Sequence, residues 1–236
     1  MTLAMVDKTL EDTIDILSKR INDLLVKFSL YPDRRVMIAF AGVPGSGKST
    51  VSSKLLKRLP QKAIDNVVVV PMDGFHFPKK TLAKFPCPET AFRRRGAPFT
   101  FDADAFVEIV TALKKGPVTQ EDDPRLAIRL PSFDHAIQDP VDDDIYVPSS
   151  ARVIIVEGNY LLFDESPWNK TSAMFDERWF VDVPPQIAKR RLIERDVHAG
   201  IETSREAAAA RVEENDLQNG AVIRSKLIRP DVTFIN

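Results

Sequence analysis

Residues Gly42-Val43-Pro44-Gly45-Ser46-Gly47-Lys48-Ser49 have the spacing G-x-x-x-x-G-K-S. Glycines at these positions let several backbone N–H groups converge on one anion with no side chains in the way. Lys48 adds a point charge for β- and γ-phosphates, and Ser49 offers a hydroxyl to Mg²⁺. Thr50 follows in the turn that the loop opens. The chain has only 9 glycines in 236 residues, and the loop's concentration of them marks a backbone with an unusual task. A functionless glycine-rich turn is the alternative. It is disfavoured because Arg35 to Ala41 (RVMIAFA) reads as a buried strand before the loop and Val51 to Leu59 as a helix after it. Bound ATP or GTP with Mg²⁺ is the implication; no base-reading motif chooses between the two nucleotides.

Such a loop serves kinases, switches and motors alike, so the carboxylates around it decide. A kinase needs one that can accept a proton from the acceptor hydroxyl beside the γ-phosphate, and charges that hold the metal. Asp73 directly follows a second strand, Val67 to Pro71, at the same end of the sheet as the loop. It is either a general base or a turn residue with Gly74. Glu157 closes a third strand, Arg152 to Val156, as a carboxylate reaching Mg²⁺ through water or as an ordinary strand-end charge. Arg191 and Arg195 lie four apart on one helix face. They suit either a clamp on developing phosphate charge or surface ion pairs. The run Arg93 to Arg95 allows three readings: an anion site for substrate or ATP with Arg95 at the pocket, a solvated basic loop, or a nucleic-acid contact. Three charges without an aromatic platform make a small nucleic-acid footprint. The lone Cys87 and 3 histidines lack zinc-ligand spacing.

These groups must be held by a scaffold. The strands named, with Arg178 to Val183 and Asp231 to Ile235, lack polar alternation and read as buried on both faces, as in parallel sheets. Between them run helices over Phe101 to Lys115, Pro184 to Val197 and Ser204 to Leu217. The alternation predicts an α/β fold. The proline-rich stretches Pro71 to Pro98 and Gly116 to Pro148 read as irregular binding loops beyond strand ends. Leu10, Ile14, Leu17, Ile21, Leu24 and Phe28 form one stripe of an N-terminal amphipathic helix. That stripe fits packing on the domain or a homodimer seam. Residues 1–34 are thus expected to be a helical extension and 35–236 the nucleotide-binding domain.

A net charge of −1 gives no global pull toward nucleic acid or acidic membranes, and no apolar run approaches the ~20 residues that span a bilayer. One cysteine excludes an intrachain disulfide, and the N-terminus carries no secretory apolar core. A cytoplasmic or nuclear chain is expected.

Loop, strand-end Asp73 followed by an aromatic, Phe101-Asp102 before a helix, and Glu157-Gly158 together resemble the superfamily of uridine kinase, phosphoribulokinase and bacterial-type pantothenate kinase. The resemblance covers roughly Val36 to Asn236. Met72-Asp73-Gly74-Phe75, Arg93 to Pro98 and Phe101-Asp102 look most like the pantothenate kinase version. Glu157 to Leu162 and Asn215 to Asn219 look like a branch of nucleoside or sugar kinases. The resemblance implies a P-loop NTPase fold with a five-stranded, mainly parallel sheet in the order 2-3-1-4-5, flanked by helices. It implies an ATP- and Mg²⁺-dependent kinase acting on a small-molecule hydroxyl, a nucleoside such as uridine first and a pantothenate- or sugar-type acceptor second. A regulatory ATPase without an acceptor is the reading from another class. Asp73 would be the base, Asp102 would bind acceptor hydroxyls or merely cap its helix, and Phe133 and His135 would line the acceptor pocket. Arg191 and Arg195 would lie near a lid over ATP. Arg195-Asp196 is followed by Val197-His198-Ala199-Gly200-Ile201, without the arginines that follow this pair in uridine kinases.

Overall fold

The computed structural model describes residues 3–5 and 9–236. Strand β1 (Leu3–Met5) precedes helix α1 (Leu10–Lys27), which opens on a capping box between Thr9 and Asp12. Strand β2 (Val36–Gly42) runs into the glycine loop and helix α2 (Lys48–Arg58) leaves it. Strand β3 (Val67–Pro71) passes into a 3₁₀ turn, Met72–Phe75, followed by short helices α3 (Lys79–Leu82) and α4 (Pro88–Arg93) and the longer α5 (Ala103–Lys115). A hairpin of β4 (Ile128–Asp134) and β5 (Asp139–Val147) leads to β6 (Val153–Gly158) and β7 (Glu177–Asp182). Helix α6 (Pro185–His198), helix α7 (Arg205–Arg211), a π turn over Val212–Asp216, helix α8 (Leu217–Ser225) and β8 (Val232–Ile235) complete the chain.

The main sheet is wholly parallel in the order β1-β8-β7-β2-β6-β3. It has six strands rather than the five expected, because β1 pairs with β8 and adds an edge. Three residues carry too little pattern to be read as a strand. Along β2 the side chains alternate between two cores. Val36, Ile38 and Phe40 join one with α1 and α2; Met37, Ala39 and Ala41 join the other with α5 and α6. Ile14, Leu17, Ile21 and Leu24 of α1 are 0–8% exposed within their own chain. The expected alternative of a homodimer seam on that helix is therefore corrected: the stripe is already covered by Val36, Ile38, Trp179 and Val232.

Two further expectations fail on local grounds. The stretch Gly116 to Pro148 is not irregular, since β4 and β5 pair antiparallel within it. Most of β5 is exposed and four of its nine residues are aspartate, a composition that disfavours strand in sequence. The helix expected over Ser204 to Leu217 continues to Ser225 after the π turn.

Candidate active site

The carboxyl ends of β2, β3 and β6 lie side by side and set the site. Register pairs Glu157 with Phe40 on one side and Pro71 on the other. Glu157 thus stands beside the glycine loop, and Asp73 two residues beyond Pro71. In the loop, Gly45 and Gly47 have φ of +73° and +88°, a region that L side chains rarely adopt. A Cβ on Gly42 would lie 2.6 Å from the Val181 carbonyl oxygen, and one on Gly47 2.6 Å from Asn236 Nδ2. The loop is therefore a cradle that side chains would fill.

Lys48 folds over this cradle. Its Nζ donates to the carbonyls of Gly42 (3.1 Å) and Val43 (3.2 Å) and to Asn159 Oδ1 (2.8 Å). Burial lowers its pKa below the usual lysine range, while the carboxylates of Glu157 and Asp73 pull it back and nearby Arg195 lowers it further. One ammonium thus feels the carboxylates of Glu157 and Asp73 and the Arg195 guanidinium of α6. Ser49 and Ser52 hydroxyls donate to the two Glu157 oxygens, each at 2.7 Å. Hard hydroxyl and carboxylate oxygens at the mouth of a phosphate cradle are the donors Mg²⁺ prefers, so the residues present fit that ion.

Asp73 sits in the 3₁₀ turn, which is gripped from both sides. Met72 packs on Gly158, and Gly74 lies against the backbone of Pro131 in β4. The backbone carbonyl of Asp73 accepts from His76 N–H (3.1 Å) and faces His76 Nδ1 at 2.8 Å. A carbonyl can only accept, so Nδ1 carries the proton. The His76 ring lies between Phe101 (centroids 3.9 Å) and Phe133 (4.8 Å), and that burial lowers its pKa.

The family model described as "Phosphoribulokinase / Uridine kinase family" matches residues 37–215. The chain belongs to this family. It is a P-loop, ATP-dependent kinase of small molecules. The kinase is 38% identical over 202 residues to a Schizosaccharomyces pombe protein named "putative uridine kinase", covering 85% of this chain and 83% of that one. It is 41% identical over 157 residues to an "ATP-dependent kinase-like protein" of Aspergillus versicolor, covering 66% and 89%. Its structure is similar to that of a "putative fructose transport system kinase" from Silicibacter sp. TM1040, at 33% identity, 96% and 98% coverage and a TM-score of 0.78.

The remaining sequence-derived residues lie as follows. Asp102 caps α5, its Oδ1 accepting from Ala105 N–H at 3.0 Å, and its own N–H donates to the Phe75 carbonyl at 2.8 Å. The cap reading therefore holds for one carboxylate oxygen, on a segment bonded to the Asp73 turn. Phe133 faces His76, with exposed His135 packed on it at 5.3 Å. Arg191 Nη1 lies 3.4 Å from the Gly45 carbonyl. Arg195 bonds Asp196 at 2.8 Å and reaches Asp216 at 3.8 Å. Thr50 is exposed in the first turn of α2.

Arg95 is not a solvated loop cation. Its guanidinium pairs with Asp139 at 2.9 Å, donates to the carbonyls of Phe77 and Gln138, and lies over the Phe133 ring. Asp139 lies in the unforeseen hairpin, so the sequence reading had no partner to offer.

Other contributors were missed. Asn159 holds Lys48, Ser52 shares Glu157, and Asn236 Nδ2 donates to the Ser46 carbonyl at 2.7 Å. Spacing carried a signal for two of them. Ser52 lies one helical turn after Ser49, and Asn159 two residues after Glu157, just past the end of β6. Nothing local to Asn236 announced it.

Proposed function

We propose that the enzyme transfers the γ-phosphate of ATP to a hydroxyl of a neutral small molecule, with a nucleoside such as uridine as the leading acceptor. The observation that carries this is geometric: strand register sets Glu157 beside the glycine loop and Asp73 two residues past its neighbour Pro71, with Lys48 folded over the loop and bonded to Asn159. In this reading the loop from Gly42 to Ser49 and Lys48 hold the phosphates, and Asp73 takes the proton of the acceptor hydroxyl. The acceptor oxygen then forms its bond to the γ-phosphorus as the bond to the β–γ bridging oxygen breaks, releasing ADP. Arg191, on the Gly45 carbonyl, and Arg195 would balance charge on the transferring phosphoryl. Ser49 and, through it, Glu157 would hold Mg²⁺, which when bound neutralises charge on the β- and γ-oxygens.

The acceptor class follows from charge and shape. Arg95 is committed to Asp139, and Arg94 Nη2 to Asn219 Oδ1 at 3.0 Å. With the charge of Arg95 met by Asp139, the carboxylates of Asp73 and Asp102 favour acceptor hydroxyls that donate to them over a carboxylate or phosphate. Phe133, half-buried and packed at a tilt on His76, would offer an aromatic face to a base. A sugar is the second reading, favoured by the same two carboxylates on bonded segments. The test is ADP release by purified protein with nucleosides, neutral sugars, pantothenate and glycerate. Turnover confined to the acids would overturn the neutral-acceptor reading, and no turnover with any hydroxyl compound would favour the regulatory ATPase instead.

A further inference from the structure

A chain of side-chain amides runs from α8, whose Gly220 packs beside Val43 and Pro44 of the glycine loop, to the Arg94–Gly96 segment. Arg94 Nη2 donates to Asn219 Oδ1 at 3.0 Å, Asn219 Nδ2 to Asn215 Oδ1 at 3.2 Å, and Asn215 Nδ2 to the Arg95 carbonyl at 2.8 Å. Both ends fix its direction. A guanidinium can only donate and a carbonyl can only accept, so each amide has one permitted orientation. Both asparagines are nearly sealed, at 2% and 3% exposed, where an unmet amide is costly. Arg94 Nη1 also donates to the Glu214 carbonyl at 3.3 Å, and Tyr160 O–H to the Gly96 carbonyl at 2.6 Å.

The two sides that this relay joins are different parts of the reaction. Asn215 is followed in the π turn by Asp216, which lies 3.8 Å from Arg195 on α6, and α6 also carries Arg191 against the loop carbonyl of Gly45. Arg95, whose carbonyl ends the relay, holds its guanidinium over Phe133 and against Asp139. The π turn puts the two side chains to work in different directions, Asn215 toward the acceptor loop and Asp216 toward the arginine helix. Such turns interrupt α-helices mostly at functional places.

Resting on the reading above, in which ATP fills the loop and the acceptor meets Phe133, we infer that Asn215 and Asn219 are positioning residues that transmit nucleotide binding to the acceptor wall. When phosphates draw in Arg191 and Arg195, α6 and the π turn tighten together, and the relay pulls the Arg94–Gly96 segment into place beneath Arg95. A coupling of this kind between two sites is typically about 5- to 150-fold.

The test uses the full chain, adenylyl-imidodiphosphate with magnesium as probe, and amide hydrogen exchange over Arg94 to Ala97. In the unaltered protein the probe slows exchange there at least about fivefold. Asn215→Asp keeps the volume but has no donor for the Arg95 carbonyl. Asn219→Asp keeps its acceptor for Arg94 but has no donor for Asn215. Each variant is expected to lose the slowing while binding the probe within about threefold of the parent, by calorimetry, with its melting temperature measured to show that it is folded. No slowing in the parent, or equal slowing in both folded variants, overturns the relay. If one variant fails to fold, the other decides. Absence of probe binding in the parent would instead refute the kinase reading, so the two failures are distinguishable.

Discussion

Gly74 is the place where a single carbon should separate the acceptor site from the nucleotide site. A Cβ built there lies 2.0 Å from the Pro131 carbonyl oxygen and 2.5 Å from its carbonyl carbon, where ordinary contact begins at 3.4 Å. Both atoms are backbone, so no rotamer change relieves the clash. The turn cannot retreat either, because on its other side Met72 packs so closely on Gly158 that a Cβ there would lie 2.6 Å from the Met72 Cβ. The strain must therefore move β4 by about 1 Å, and Pro131 sits at the irregularity between Leu130 and Ser132, two residues before Phe133. Misplacing a substrate-positioning group by about 1 Å costs about 100-fold in rate. Gly74→Ala is thus expected to lower kcat/KM for the acceptor about 100-fold, to lower stability by ~1–3 kcal/mol, and to leave ATP affinity unchanged, since the glycine loop joins β2 to α2 rather than to β4. Coupled ADP-release kinetics with varied acceptor, nucleotide titration and thermal unfolding measure the three effects. An acceptor kcat/KM within about threefold of the parent, with the protein folded, would refute the claim that β4 on this turn shapes the acceptor site.

Other perturbations test separate parts of the machinery. Asp73→Asn removes the proposed base without changing size, so kcat should fall about 10²–10⁴-fold while ATP still binds; turnover within about tenfold of the parent would exclude Asp73 as base. Phe133→Ala removes the aromatic face, and for a nucleoside acceptor a loss of ~1–3 kcal/mol of stacking should appear as a raised acceptor KM with kcat largely kept. An unchanged KM would place the base elsewhere. His76 gives a pH test of the same wall. Burial between two rings lowers its pKa from the usual 6.5, against the pull of Asp73 and with Arg95 and His135 adding to the lowering. On acidification the unfolded chain takes up this proton from about pH 6.5 while the folded chain resists, so this group's contribution to stability falls below that pH until the folded ring is charged. His76→Phe should show a smaller fall in melting temperature between about pH 7.5 and 5.5; an equal fall would show that the imidazole is not held this way.

The parts of this enzyme that the sequence announced are those built from backbone. The glycine loop needs particular φ values and a strand before it, and β-branched runs such as Val67 to Val70 can be little else than strand, although β3 is a sheet edge on which only Val70 of that run is buried. The carboxylates followed because a parallel sheet puts every strand's carboxyl end on one side, so Asp73 and Glu157 had to approach Lys48. What stayed hidden are choices between partners far apart in the chain. Arg95 looked like one of three equivalent loop arginines. Its difference from exposed Arg93 arises only because Asp139 and the carbonyls of Phe77 and Gln138 meet it in the fold. Asn215 and Asn219 were visible only as the ends of a segment resembling a branch of nucleoside or sugar kinases, and the π turn that aims them carries no compositional mark, following the helix-favouring run Ala207 to Ala210.

That division has a chemical consequence. Phosphate is the same anion in every kinase of this kind, and main-chain N–H groups with one lysine suffice to hold it. An acceptor must be distinguished from other alcohols by shape and hydrogen-bonding pattern, which requires side chains on separate segments to be held in register. Here those segments are the Asp73 turn, the Asp102 cap, the Arg94–Gly96 loop and the β4–β5 hairpin, joined by His76 stacking, the Arg95–Asp139 pair and the asparagine relay. Changing any one of them should alter which alcohol is accepted well before it alters the binding of ATP, because none of these joints passes through Gly42 to Ser49.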